Sequence, residues 1–171
     1  MAIKHDADLP ARSGMGSSSA FTVGLIHALH ALQGRMPSKQ QLAREGIYIE
    51  QELLKETVGS QDQVLAAVGG LNHIVFNPTN EISVRPITIS RERTADLQRH
   101  LMLFYTGLVR TASAVAASYV SAIDARERQM NALGRMVEEG IAILAGDRDI
   151  RKFGELLHEA WLIKRSLSPT V

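Results

Sequence analysis

A glycine- and serine-rich segment near the start of the chain runs directly into an amphipathic helix pattern. Residues 10–20 have the sequence PARSGMGSSSA, and apolar residues then recur at helical spacing over 21–32, with no spacer between. Glycines permit positive φ angles and let a ligand approach the backbone. The unpaired N–H groups at a helix start, together with the helix dipole, attract anions. The sequence therefore predicts an anion-binding turn over residues 14–19 that leads into the helix.

The alternative for this segment is a flexible linker, or a serine cap on an ordinary helix. The immediate start of the amphipathic pattern argues against a linker. Known motifs do not fit: a Walker A loop needs lysine after its last glycine, where serines follow Gly16, and the dinucleotide fingerprint needs a third glycine, where Ser19 stands. There is also no G-x-S-x-G elbow. The hydroxyls of residues 17–19 are able to bind phosphate oxygens or a magnesium ion.

Glu50 is predicted to point toward the interior of the protein. It lies on a helix predicted over 38–56, which Ser38 and Gln41 open with a capping-box pattern. At about 100° per residue, the positions within about 60° of Glu50 are small or apolar: Ala43, Gly46, Ile47, Leu53 and Leu54. An inward carboxylate needs a base, a hydrogen-bond donor or a metal as its partner. A structural salt bridge and a functional site explain this pattern equally well.

Asp62 lies in the first turn of a short helix predicted over 60–68. Ser60 and Gln63 repeat the capping-box pattern, and Gly69 and Gly70 end the helix. The start of a helix favours an ionised carboxylate. The alternative is an acid that stabilises the helix start and does nothing else.

The remaining chain is predicted to be helix-rich with a β-containing stretch. Strands are expected over 2–9, 71–76, 82–89 and 100–106. Helices are expected over 110–123, 127–145 and 150–165. A charged stretch at 91–97 separates the strand-containing half from the helical half and predicts a domain boundary there.

Composition excludes several classes of protein. The 171 residues, 45% of them hydrophobic and 22% charged, suffice for one full-sized domain or parts of two. A net charge of +1 with scattered basic residues gives no electrostatic case for a nucleic-acid partner. The absence of cysteine excludes disulfides and thiolate metal sites and fits a reducing cytoplasm. Because the start is polar and there is no apolar run of about 18 residues, neither a signal peptide nor a membrane span is expected. The sequence does not specify the oligomeric state.

Taken together, these motifs resemble those of the GHMP small-molecule kinases. Residues 10–20 are similar to the family's second motif, roughly P-x-x-x-G-L-G-S-S-A-A, with Met15 in place of Leu and Ser19 in place of the first Ala. Residues 59–63, GSQDQ, are similar to the segment that carries the catalytic aspartate in the family's sugar kinases. The resemblance extends through residues 104–110 to 161–164 and is strongest to kinases that act on a heptose 7-phosphate.

The resemblance implies an α+β fold and phosphoryl transfer from ATP with Mg²⁺. Part of an S5-like N-terminal domain is implied over 1–93 and part of a ferredoxin-like C-terminal domain over 94–171. Asp62 matches the catalytic aspartate, and Ser18 and Glu50 match the magnesium ligands. The residues implied to bind the ATP phosphates are Pro10, Ala11, Arg12, Ser13, Gly14, Met15, Gly16, Ser17, Ser18 and Ser19.

The substrate that the resemblance implies is the anomeric hydroxyl of a phosphorylated heptose, which would give a 1,7-bisphosphate. A phosphosugar needs a second cationic site apart from the ATP loop, and arginine binds phosphate bidentately. Besides Asp62, the candidate substrate ligands are Thr106, Gly107, Arg110 and Lys164. Arg110 is alternatively a helix-capping or solvated residue. The alternatives are a kinase that acts on a neutral hexose such as fucose or galactose, and a non-catalytic protein that binds phosphate.

The family's first and third motifs are not among the 171 residues. We therefore expect the central part of a longer cytoplasmic kinase, weak or inactive by itself.

Overall fold

A computed structural model of the chain describes residues 2–8, 14–107 and 124–167. The described residues form two compact units. The N-terminal unit comprises residues 2–8, 14–69 and 105–107, and the C-terminal unit comprises residues 70–104 and 124–167. The division into family domains at residue 93 stays a prediction, because compactness does not identify a domain family.

Helices build the described part of the N-terminal unit. They are α1 (Ser17–Leu32), α2 (Lys39–Ile47), a π-helical turn (Tyr48–Leu53) that continues α2, and α3 (Gln61–Val68). The helix predicted over 21–32 thus begins at Ser17, so that the serines belong to its first turn. Its predicted end is confirmed: Gly34 has φ 69° and donates its N–H to Ala31 O at 3.0 Å, while Arg35 N–H bonds to His30 O at 2.9 Å.

The two capping-box predictions have different outcomes. Ser38 does cap α2, because its Oγ accepts a hydrogen bond from Gln41 N–H at 3.1 Å. Ser60 precedes α3 without a side-chain cap, and its Oγ instead accepts a hydrogen bond from Gln51 Nε2 at 3.2 Å. The amide of Gln63 also points elsewhere, toward Glu50.

The core of the N-terminal unit lies where α1, α2 and α3 pack together. Val23, Ile26 and Leu42 are buried in it, with Ile49 and Ala67 packed against them. Gly46 allows this close approach. A Cβ at Gly46 would lie 3.1 Å from Val23 Cγ2 and 3.6 Å from the Cβ and Cγ atoms of Gln63.

The C-terminal unit begins with the predicted hairpin. Strand β1 (Asn72–Phe76) pairs antiparallel with β2 (Ile82–Pro86), and Ile74 lies opposite Val84. The helices that follow are α4 (Arg91–Arg99), a 3₁₀ turn (Asp124–Arg126), α5 (Glu127–Ala145) and α6 (Arg151–Arg165). Helices α5 and α6 pack against each other and bury Ile143, Leu144, Ile150, Leu156 and Leu167. Among the residues that the structure describes, no helix is long and apolar enough to cross a membrane.

Two predicted strands are wrong. Residues 2–8 and 101–107 have no regular secondary structure, and the charged stretch at 91–97 is part of helix α4. A strand is stable only when its backbone groups pair with a neighbour. Within the described residues, only β1 and β2 pair in this way. The helix predicted over 110–123 lies outside those residues.

The side chain of Arg93 closes the C-terminal end of α5. Its Nη2 donates hydrogen bonds to Ile143 O at 2.5 Å and to Arg148 O at 2.7 Å, and its Nε donates to Leu144 O at 3.3 Å. Carbonyl groups at a helix C-terminus have no intrahelical donor, and a positive charge there is favourable. Arg93 is itself fixed at the start of α4, where its N–H bonds to Ser90 Oγ at 3.0 Å.

We expect Arg93→Ala to lower the free energy of unfolding by about 1–3 kcal/mol, because charge-assisted hydrogen bonds are lost. Arg91→Ala is the matched control, since Arg91 is exposed on the same helix, and a change within about 0.5 kcal/mol is expected for it. Urea unfolding followed by circular dichroism measures both. Equal effects of the two substitutions would contradict this role of Arg93.

A hydrogen bond between side chains joins α1 to α2. His30 Nε2 lies 2.8 Å from Glu45 Oε2, and Gln41 Nε2 donates a hydrogen bond to Glu45 Oε1 at 2.7 Å. The hydrogen bond from His30, followed by that from Gln41, holds the pKa of Glu45 below its ordinary value of 4.5. Because the folded state lowers this pKa, the stabilisation is present above the ordinary value and is lost as the pH falls through the lowered one.

Replacing Glu45 by glutamine is therefore expected to make the free energy of unfolding depend less on pH in the acidic range. Between about pH 6 and pH 3, the free energy of unfolding should fall more steeply in the unaltered chain than in Glu45→Gln. Urea titrations at several pH values test this expectation. Identical slopes in the two proteins would show that the His30–Glu45 pair does not contribute.

Candidate active site

The glycine-serine segment forms a tight turn at the start of α1. Gly14 has φ 74° and Gly16 has φ 69°, both in the left-handed region that favours glycine. Gly16 is the N-cap residue and contributes no side-chain cap. The first hydrogen bond of the helix runs from Ala20 N–H to Gly16 O at 3.0 Å. The N–H groups of residues 17–19 therefore have no acceptor within the helix.

The three serines at this helix start face different surroundings. Ser17 is half-buried, Ser18 is exposed and Ser19 is buried. Met15 is half-buried within the turn. Pro10, Ala11, Arg12 and Ser13, which the resemblance places in the same loop, lie outside the described residues. Phosphate binding by the loop stays a prediction.

A buried polar cluster lies below the turn. It consists of Ser19, Glu50 and Gln63, hereafter the Glu50 cluster, whose exposed fractions are 3%, 3% and 1%. Ser19 Oγ donates a hydrogen bond to Glu50 Oε2 at 3.0 Å, and Gln63 Nε2 donates to the same oxygen at 2.5 Å. The cluster thus joins α1, the π-helical turn and α3.

The inward direction predicted for Glu50 is confirmed by its burial, but the predicted helix around it is not continuous. The backbone widens into the π-helical turn at Tyr48–Leu53, and π-turns within helices are frequent at functional sites. The helical path ends before Lys55, which has φ 54°. Leu53 and Leu54, expected on the same face as Glu50, are each 60% exposed as a result.

Two oxygen atoms of the Glu50 cluster are left without a partner. Glu50 Oε1 and Gln63 Oε1 are buried and accept no hydrogen bond from the described residues. Burying part of a carboxylate without compensation is unfavourable. Hard divalent cations take oxygen ligands, and Mg²⁺ is usually held by one or two carboxylates together with substrate phosphates. The unpartnered carboxylate oxygen of Glu50 therefore fits a magnesium ion that is shared with a nucleotide.

The described residues contain no cluster of three or more histidine, cysteine, aspartate or glutamate side chains arranged for a metal.

Asp62 lies beside the turn formed by residues 14–16, hereafter the glycine turn. It is exposed in the first turn of α3, and a Cβ placed on Gly16 would lie 3.4 Å from Asp62 Oδ2. Its neighbour Gln63 belongs to the Glu50 cluster. The turn, the buried carboxylate and the exposed carboxylate therefore lie together in the N-terminal unit. The hydroxyl that bonds to Glu50 belongs to Ser19. The predicted sharing of a magnesium ion by Ser18 and Glu50 stays a prediction.

The other predicted substrate ligands are distributed over the chain. Thr106 and Gly107 are exposed in the N-terminal unit, and Gly107 has φ 73°. Arg110 lies outside the described residues. Lys164 is exposed in the last turn of α6, in the C-terminal unit. Their part in substrate binding stays a prediction.

Comparison with known proteins adds evidence that is independent of this geometry. Residues 1–70 match the family model of the GHMP kinases N terminal domain. A D-glycero-alpha-D-manno-heptose 7-phosphate kinase of Campylobacter jejuni is 25% identical over 96% of this chain and 49% of its own length. A bifunctional fucokinase/GDP-fucose pyrophosphorylase of Arabidopsis thaliana is 26% identical over 99% of this chain and 16% of its own length. A galactokinase of Chloroflexus aurantiacus is 30% identical over 51% of this chain and 22% of its own length.

The chain thus spans about half the length of the heptose 7-phosphate kinase and less of the other two relatives. The matched residues 1–70 contain the glycine turn, Glu50, Asp62 and Gln63. Residues 1–70 therefore form a GHMP kinase N-terminal domain, and the resemblance to the GHMP kinases is confirmed.

Proposed function

We propose that this protein takes part in phosphoryl transfer from ATP to a sugar hydroxyl. The observation that carries the proposal is the buried carboxylate of Glu50, which has an oxygen without a partner among the described residues and lies near a glycine turn that is also close to Asp62. The relatives support it, since all three are named as sugar kinases or contain one.

The glycine turn and the start of α1 would bind the phosphates of ATP. The free N–H groups of residues 17–19 and the helix dipole favour negative charge at this point. Gly16 presents no side chain, so a phosphate oxygen can approach its backbone. The exposed hydroxyl of Ser18 is available at the same end of the helix.

Glu50 would supply the protein's carboxylate ligand to a magnesium ion through Oε1, with Ser18 as the second ligand. When bound between phosphates, magnesium neutralises the charge that develops during transfer. Ser19 and Gln63 already occupy Oε2 of the carboxylate. Glu50 can therefore offer one oxygen without losing the hydrogen bonds that hold it.

Asp62 would accept the proton of the attacking sugar hydroxyl, or orient that hydroxyl for in-line attack. Its carboxylate is exposed, so a substrate can reach it, and it lies close to Gly16, next to the proposed phosphate site.

A phosphorylated heptose is the substrate that we favour, with transfer to its anomeric hydroxyl. The Campylobacter relative, which matches 96% of the chain, is named for a heptose 7-phosphate. The residues that we keep as candidate ligands of the sugar or its phosphate are Thr106, Gly107, Arg110 and Lys164. A neutral hexose is the second candidate, because the other two relatives are named for fucose and galactose.

The roles of the two carboxylates are separable by mutation. Asp62→Asn is expected to lower turnover by about 10²–10⁴-fold, because proton acceptance is lost while ATP binding is kept. Glu50→Gln is expected to raise the Mg²⁺ concentration required for half-maximal activity. Both are measured by ATP-dependent sugar phosphorylation, in the 171-residue chain or in a longer protein that contains it.

Glu52→Gln is the control for both variants, because Glu52 is an exposed carboxylate on the same π-helical turn. It should leave turnover and the Mg²⁺ requirement unchanged. Full turnover in Asp62→Asn, or an equal loss in Glu52→Gln, would contradict the assigned roles.

The choice of sugar is tested by a substrate panel of heptose 7-phosphate, fucose and galactose. If Arg110 and Lys164 bind the distal phosphate, Arg110→Ala and Lys164→Ala should raise KM for heptose 7-phosphate by about tenfold each, as expected for loss of a charge-assisted hydrogen bond. KM for ATP should not change. Preference for an unphosphorylated hexose in the parent protein, or an unchanged KM in both variants, would refute the heptose assignment.

A further inference from the structure

Gln63 is the most deeply buried polar side chain of the Glu50 cluster, with 1% of its surface exposed. Its Nε2 faces Glu50 Oε2 at 2.5 Å. The chemistry fixes this orientation, because a carboxylate only accepts hydrogen bonds and only the NH₂ end of the amide can donate them.

The position of Gln63 is also fixed by packing. Its Cβ and Cγ atoms lie against Gly46 of α2, where a Cβ would be only 3.6 Å away. A glutamine loses side-chain freedom when it is buried, and here that freedom is removed before any ligand arrives. The amide therefore reaches Glu50 from a preorganised position.

The two donors of the cluster act on a single oxygen of Glu50. Ser19 Oγ and Gln63 Nε2 both bond to Oε2, whereas Oε1 has no partner among the described residues. A carboxylate held at one oxygen by two donors cannot rotate freely. Its other oxygen is consequently presented in one fixed direction.

We propose that Gln63 is a positioning residue: it orients Glu50 so that Oε1 is the oxygen offered to the cation. The inference rests on the proposed function, since it assumes that Glu50 is the metal ligand. Gln63 follows Asp62 directly on α3 and bonds to the carboxylate of the π-helical turn. It therefore also links the helix that carries the proposed base to the metal site.

The test is Gln63→Met, which keeps the length of the side chain and removes the donor. The probe is Mn²⁺ in the presence of ATP, with binding followed by electron paramagnetic resonance on the full 171-residue chain. Loss of a group that orients a metal ligand typically costs about 10–100-fold in metal affinity. We expect the Kd of Mn²⁺ to rise by about that factor in Gln63→Met, with little change in the affinity for ATP measured without metal.

Gln41→Met is the matched control. Gln41 also donates its amide to a glutamate carboxylate, at 2.7 Å from Glu45 Oε1, but on the surface of α2. A merely structural glutamine would lower the melting temperature and leave the Kd of Mn²⁺ unchanged in the folded protein. An unchanged Kd in Gln63→Met therefore overturns the inference, as does an equal rise in Gln41→Met.

Glu50→Gln separates the two proposals. If it leaves the Kd of Mn²⁺ unchanged, or if the unaltered chain binds no Mn²⁺ with ATP, the metal role of Glu50 fails and the proposed function with it. If Glu50→Gln weakens binding and Gln63→Met does not, only the role of Gln63 fails.

A second measurement decides the matter if Gln63→Met does not fold. In the unaltered chain, the side-chain amide signals of Gln63 in ¹⁵N nuclear magnetic resonance should shift when Mg²⁺ is added with ADP. The amide signals of Gln41 should not shift. The absence of any shift at Gln63 would overturn the inference.

Discussion

The hydrogen bonds to the buried carboxylate of Glu50 are the interactions on which the arrangement of the site depends. A buried polar group has to be hydrogen-bonded, because a buried group that loses its partner destabilises the fold. Ser19 and Gln63 meet this need from two different helices. Because both bonds end on one oxygen, the relative positions of α1, α3 and the π-helical turn are determined together. The apolar contacts of Val23, Ile26 and Leu42 hold the same elements together without specifying this alignment.

Alignment at the cluster has consequences for the surface above it. Ser19 lies in the first turn of α1, so its bond to Glu50 also fixes the glycine turn that precedes the helix. Gln63 lies next to Asp62, so its bond fixes the start of α3. Gly16 and Asp62 lie close together where these two helix starts approach each other. An arrangement that is fixed in this way needs little rearrangement when a ligand binds, which lowers the entropic cost of reaching a reactive geometry.

The features that the sequence predicted correctly are those encoded within a few residues. The end of α1 after residue 32, the cap at Ser38 and the helix over 127–145 follow from local chemistry, and the burial of Glu50 follows from helical spacing. Contacts between distant segments were predicted less well. The hydrogen bond from Ser19 to Glu50 depends on where α1 begins. Gln63 fits the capping-box pattern, but its side chain enters the core because Gly46 leaves room for it. The strand predicted over 100–106 failed for the same reason, because strands depend on partners that are remote in sequence.

The three relatives share an activity but are named for different sugars: a heptose 7-phosphate, fucose and galactose. Phosphoryl transfer makes the same demands whatever hydroxyl is attacked, since the charge to be stabilised lies on the phosphates and the metal. In the function that we propose, the Glu50 cluster, the glycine turn and Asp62 would meet those demands, and all of them lie inside the matched residues 1–70. None of the described residues in this group carries a positive charge that would distinguish a phosphorylated sugar from a neutral one. Sugar choice should therefore depend on residues outside this group, and substitutions within it should affect turnover on every sugar to a similar degree.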